Sequence, residues 1–151
     1  CPHCNAFEPQ FRQWIERQSK DVVVKRVPVQ FREDFEPQQR MYYTLEALGK
    51  LEPLHGRLFQ AIHVERLPLS GAEQLARWAE KNGIPGAKFT ELFNSFSVVG
   101  KARRAAQLQE QFKVEGYQEP EVNFFDMDTT SDNPVQSFTK LIHYLRNVEK
   151  I

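Results

Sequence analysis

Two cysteines three residues apart, Cys1 and Cys4 in the run CPHC, are the only thiols in the 151-residue chain. The loop they would close is trivial, so a bond between them cannot staple a fold. The pair is therefore a chemical site: a redox dithiol, or half of a metal site. A thiol attacks and ligates as its thiolate, so what matters is whatever favours the anion. A zinc site would need two more ligands. His3 lies inside the motif, and His55, His63 and His143 form no H-x3–5-H pair. No second C-x-x-C exists either, and neither a metal nor a cofactor is expected.

The element that must position the thiols is a helix. Phe7, Phe11, Trp14 and Ile15 recur at helical spacing, which puts Cys1 at the helix N-terminus and Cys4 one turn in. Pro2 suits the first turn, where its missing N–H is not needed, and Pro9 falls deep enough to kink the helix. Free backbone N–H groups and the positive end of the macrodipole would lower the thiol pKa of Cys1, and His3 as a cation or donor adds to the effect. Stabilising the thiolate stabilises the dithiol, which makes the disulfide a strong oxidant of other thiols. Cys1 is then the nucleophile and Cys4 the resolving partner.

Further along, DVVVKRVPVQF (Asp21 to Phe31) reads as a buried strand rich in β-branched residues. A block of about five helices follows. Pro37 opens a helix with Met41, Tyr42, Leu45 and Leu48, which Gly49 ends; a second carries Leu54, Leu58, Phe59 and Ile62. Ser70 with Glu73 reads as a capping box ahead of Leu75, Trp78 and Ala79, closed by Gly83. Pro85 starts a helix with Phe89, Leu92, Phe93 and Phe96, and a longer one bears Ala102, Ala105, Leu108 and Phe112. Phe59, Trp78, Phe89, Phe93 and Phe96 are expected in the core. After Gly116 the acidic, turn-rich YQEPEVNFFDMDTTSDNP holds one short strand, Val122 to Phe125, and a final amphipathic helix runs from Pro134 through Val148.

Lys plus Arg equals Asp plus Glu, 20 each, so nothing in the charge balance argues for nucleic acid or an acidic membrane surface, and no nucleic-acid partner is expected. The one basic cluster, KARR (Lys101 to Arg104), sits in a helical pattern and reads as a solvated face. No run approaches the ~18 apolar residues of a membrane span. Two strands are too few for an α/β sheet of the usual ~5–6, so either the sheet is completed elsewhere or strands are missing from this chain.

CPHC followed by FE, then VVVKRVPVQF, then a helical block of this size, resembles the DsbA family of bacterial periplasmic thiol:disulfide oxidoreductases. The resemblance covers Cys1 to about Gly116 and resumes over DMDTTSDNPVQSFTKLIHYL. It implies an α/β, thioredoxin-like fold with an inserted all-helical domain: 1–34 thioredoxin-like, 35–112 inserted, 113–151 thioredoxin-like and abridged after Gly116. It implies that Cys1 forms mixed disulfides with Cys4 as its buried partner, and that Pro2 and His3 tune the couple. Glu8 and Lys25 look like that family's buried charged pair beneath the site; ordinary surface charge is the other reading. The family's low thiol pKa and oxidising couple come with the resemblance. So do reduced, cysteine-containing exported proteins as substrates, a quinone-linked membrane oxidase as partner, a periplasmic location and a monomeric state.

Two features of the family pattern are not found: the strand leading into CPHC, and a cis-proline loop after the glycine that follows the helical block. Val27-Pro28 lies in the first strand instead, and Pro120 is spaced wrongly from Gly116. The chain is expected to be abridged at both places, with Cys1 and Gly116 near each other, a break between Gly116 and Tyr117, and an unpaired edge on Val22 to Val27. Competing functions are a reductase or isomerase on the same fold, and a non-catalytic thioredoxin-like binding module.

Overall fold

The structure, a computed structural model, describes residues 2–18, 24–112 and 114. It divides into two compact units, one containing the first helix and the other spanning Lys25–Glu115. In the first unit, α1 (Pro2–Glu16) runs unbroken through Pro9. Cys4, Phe7, Glu8, Phe11, Trp14, Ile15 and Gln18 form its sheltered stripe, while Ala6, Pro9, Gln10, Arg12, Gln13 and Glu16 are exposed. That is the 3.6-residue period at work. Phe7 stacks on Phe11 (5.8 Å between ring centroids) and Phe11 on Trp14 (5.9 Å).

The second unit is helical: α2 (Glu36–Ala47) after a 3-10 turn at Glu33–Phe35, α3 (Leu51–His63), α4 (Ala72–Lys81), α5 (Gly86–Phe93) and α6 (Phe96–Gln111). The five helices of the block stand as the sequence predicts. Helix α2 is their hub, buried around most of its circumference from Met41 to Leu45. Its Met41 and Leu45 join Leu54, Leu58, Leu75, Trp78, Phe89 and Phe93 in one core. Its Tyr42 and Tyr43 face the other way, onto Val98, Ala102 and Ala105 of α6. Small alanines let the helices approach closely, and the two tyrosine rings, edge to face at 5.3 Å, fill the space.

Helix stops follow chain chemistry. Gly49 (φ 63°) and Gly83 (φ 80°) take the left-handed conformation that ends α2 and α4. In each case paired backbone bonds close the last turn: Lys50 N–H to Leu45 O (2.8 Å) with Gly49 N–H to Glu46 O (3.0 Å), and Ile84 N–H to Ala79 O with Gly83 N–H to Glu80 O (both 3.0 Å). Arg40 crosses from α2 to the end of α5, donating to Phe93 O (3.0 and 2.5 Å) and Asn94 Oδ1 (2.7 Å), with its guanidinium 4.1 Å from the Phe93 ring centre.

Four expectations need correcting. Residues 24–30 are not a strand, and no strand occurs among the described residues, so the sheet of the expected α/β fold is not seen. Pro28 has no N–H for a ladder. The neighbouring backbone groups are satisfied instead by glutamine side chains: Gln39 Nε2 donates to Pro28 O (2.8 Å), and the Gln109 amide both accepts from Gln30 N–H (2.7 Å) and donates to Gln30 O (3.1 Å). The capping box is absent. Helix α4 begins at Ala72 with Gly71 as N-cap and no side-chain cap, so Ser70 stands one residue too early, and Glu73 pairs with Arg77 instead. Phe96 is 92% exposed rather than core, because Ser95 restarts the helix as N-cap of α6 (Val98 N–H to Ser95 Oγ, 3.3 Å) and breaks the α5 period. Phe112 is likewise exposed, just past the end of α6. Phe59 is half-buried, and Trp78, Phe89 and Phe93 are buried as expected. The expectations placed on Cys1, Val22, Gly116, Tyr117, Val122–Phe125 and the final helix lie outside the described residues.

Candidate active site

Helix α1 carries the site. Pro2 is its first residue, needing no amide partner there, and Cys4 lies in its first turn, half-buried on the sheltered stripe. Cys4 is disulfide-bonded. The sequence offers one other cysteine, at position 1, a residue outside the described set. Among the described residues no free cysteine is found.

Glu8 follows Cys4 by one turn (i, i+4) on the same stripe and is half-buried. Residues four apart on a helix are neighbours, so the carboxylate is carried on the face that carries the Cys4 sulfur. Below it Phe7, Phe11 and Trp14 form an apolar stack, with Trp14 the buried anchor. Lys25 belongs to the other unit and is exposed.

None of the described residues forms a cluster of three or more His, Cys, Asp or Glu that could hold a metal ion. His55 and His63 flank the Phe59 ring on α3 at 4.8 and 5.7 Å, as aromatic packing partners. Burial pushes the His63 pKa down. No described helix is long and apolar enough to cross a membrane. Sequence periodicity gave no sign of Gln39, Arg40 and Gln109, the polar side chains that hold the helical unit's loops and helix ends; only their long amides or guanidinium, able to reach backbone groups, could have suggested them.

Residues 1–117 match the DSBA-like thioredoxin domain family. The chain belongs to that family. DsbA, the thiol:disulfide interchange protein, of Bordetella parapertussis is 42% identical over 116 residues, covering 77% of this chain and 55% of that protein. Pseudomonas aeruginosa DsbA is 32% identical over 151 residues, 99% of this chain and 72% of that protein. The chain thus spans about half the length of the Bordetella relatives it matches. The crystal structure of Pseudomonas aeruginosa DsbA superimposes with a TM-score of 0.79 at 33% identity, covering 99% of this chain and 79% of that one. The oxidoreductase from Neisseria meningitidis, at 19% identity and a TM-score of 0.75, shares the fold. The DsbA-type, thioredoxin-like fold is therefore this chain's fold, with its helical part the portion described.

Proposed function

We propose that this DsbA-family chain is a thiol:disulfide oxidoreductase that donates a Cys1–Cys4 disulfide to reduced, cysteine-containing exported proteins. The observation that carries the reading is a disulfide-bonded cysteine in the first turn of α1, in a chain of the DSBA-like family. A client thiolate attacks Sγ of Cys1, the S–S bond breaks, and Cys4 leaves as thiolate. A second client thiolate then attacks the client sulfur of the mixed disulfide and expels Cys1. The client loses two electrons and two protons and gains a disulfide; the protein ends as the dithiol. Net transfer follows the more stable dithiol, which the helix N-terminus favours through its N–H groups and dipole.

In this reading Pro2 and His3 tune the couple between the sulfurs, and Glu8 modulates it from the Cys4 stripe of α1. The half-burial of Glu8 on the Cys4 stripe supports its part. The helical block, 35–112, is an insertion in a thioredoxin-like frame made by 1–34 and 113–151. A quinone-linked membrane oxidase restores the disulfide, and the protein works as a periplasmic monomer without cofactor or metal.

The test mixes the oxidised chain with a reduced two-cysteine peptide and follows both by mass spectrometry. Stoichiometric peptide disulfide and protein dithiol are expected, and Cys1→Ser should abolish both. In the reduced protein, alkylation at mildly acidic pH should label Cys1 before Cys4. An equilibrium with glutathione that leaves the protein mostly oxidised would favour a reductase or isomerase. Undiminished client binding with no exchange would favour an adaptor.

A further inference from the structure

Helix α6 carries a feature that the thiol chemistry does not use. Phe96 is 92% exposed, the most exposed large apolar side chain described, although phenylalanines 89 and 93 of the preceding helix are almost wholly buried. It lines a groove of about 510 Å³ with Val99, Gly100, Arg103, Arg104 and, at its ends, Asn94 and Gln107. The spacing 96, 99/100, 103/104, 107 is one stripe of the helix. The middle of the stripe is open: a Cβ placed on Gly100 would meet no atom within 4 Å.

Among the described residues the charge of this groove is uncompensated. None of its lining residues is a carboxylate, and α6 has no Asp or Glu before Glu110. Lys101, the third cation of the run, is neutralised by Glu46 at 2.5 Å and lies 6.0 Å from the Tyr43 ring centre. Arg103 and Arg104 are exposed and take part in none of the ion pairs found among the described residues. A ring in water beside two guanidinium forks combines the two side-chain classes that dominate interface energetics, aromatic and arginine. Guanidinium forks match carboxylates bidentately.

We propose that this groove docks an acidic polypeptide segment carrying one large apolar side chain, the apolar group packing on Phe96 and Val99 and the carboxylates on Arg103 and Arg104. A second copy of the chain is a poor occupant, because a two-fold contact sets the same patch against itself and would oppose four guanidinium groups. Two cations are also too few for a nucleic-acid backbone, whose binding rests on many phosphate contacts. The proposal stands apart from the oxidoreductase reading and needs neither cysteine.

The experiment measures fluorescence anisotropy of a labelled peptide alternating Asp and Glu with Phe and Leu, and of its Asn/Gln counterpart, on the oxidised full chain. Binding of the acidic peptide is expected, weaker by about tenfold between low and high salt as the charges are screened. R103Q/R104Q should weaken it about tenfold, and Phe96→Ser by a similar factor. Gly100→Leu should block the groove while raising helix propensity, so its loss of binding is separable from loss of fold. Equal affinity for the neutral peptide, equal binding by these variants, or no binding at millimolar peptide would overturn the proposal. So would a concentration-dependent dimer in sedimentation that Phe96→Ser abolishes.

Discussion

Replacing Gln109 tests how a strandless segment is held. Its amide accepts from Gln30 N–H at 2.7 Å and donates to Gln30 O at 3.1 Å and Val114 O at 3.3 Å. One side chain thus presents a donor and an acceptor to Gln30 as a neighbouring strand would, and it reaches Val114 as well. Gln109→Leu keeps the bulk and removes every polar atom. Each intramolecular hydrogen bond is worth about 1 kcal/mol net, the longest less, and water can recover part at a half-buried site. The expected cost is about 2 kcal/mol, or roughly 30-fold in the local opening constant. Amide exchange read by NMR should show Gln30 losing protection by that factor, and urea unfolding should show the loss in midpoint. Gln109→Glu separates the two roles: a carboxylate keeps acceptors but loses both donors, so it should cost as much near neutral pH and recover partly as it protonates below its usual ~4.3. Unchanged Gln30 protection in Gln109→Leu, with stability within about 0.5 kcal/mol of the parent, would show that water serves this backbone as well as the glutamine does.

Phe89 is 1% exposed in the α2–α5 core, so Phe89→Ala should cost about 3–5 kcal/mol by lost burial and a cavity, seen as a lowered thermal midpoint. Burial raises Tyr42 and Tyr43 to about 12. Their contribution is fully present below the unfolded pKa of ~10 and is lost as pH rises towards 12, so absorbance at the phenolate band should show two of the four tyrosines ionising late and together with unfolding. His63 behaves in the opposite sense. Its folded pKa is lowered, so above ~6.5 both states are neutral, and as pH falls below that the unfolded chain takes the proton first. Stability should therefore fall from neutral pH into the acid range, and part of that slope should vanish in His63→Gln; an unchanged slope would refute the assignment.

The CPHC motif, its place at a helix start and the five helices of the block could all be read from residue types and spacing. Cysteine chemistry, the 3.6-residue stripe and left-handed glycines at 49 and 83 are local properties, each settled within a few residues. Glu8 was singled out only by the family resemblance, and the helix then carries it on the Cys4 stripe, four residues on. What lay beyond local pattern was decided by tertiary structure. Val24 to Val27 has strand composition, but among the described residues no strand pairs with it, and Gln39 and Gln109 supply the hydrogen bonds beside it. Phe96 continues the apolar spacing of α5, yet Ser95 starts a new helix axis and turns that ring to water. The sequence left Lys25 open between burial and surface charge, because burial depends on what packs over a residue rather than on the residues beside it in the chain.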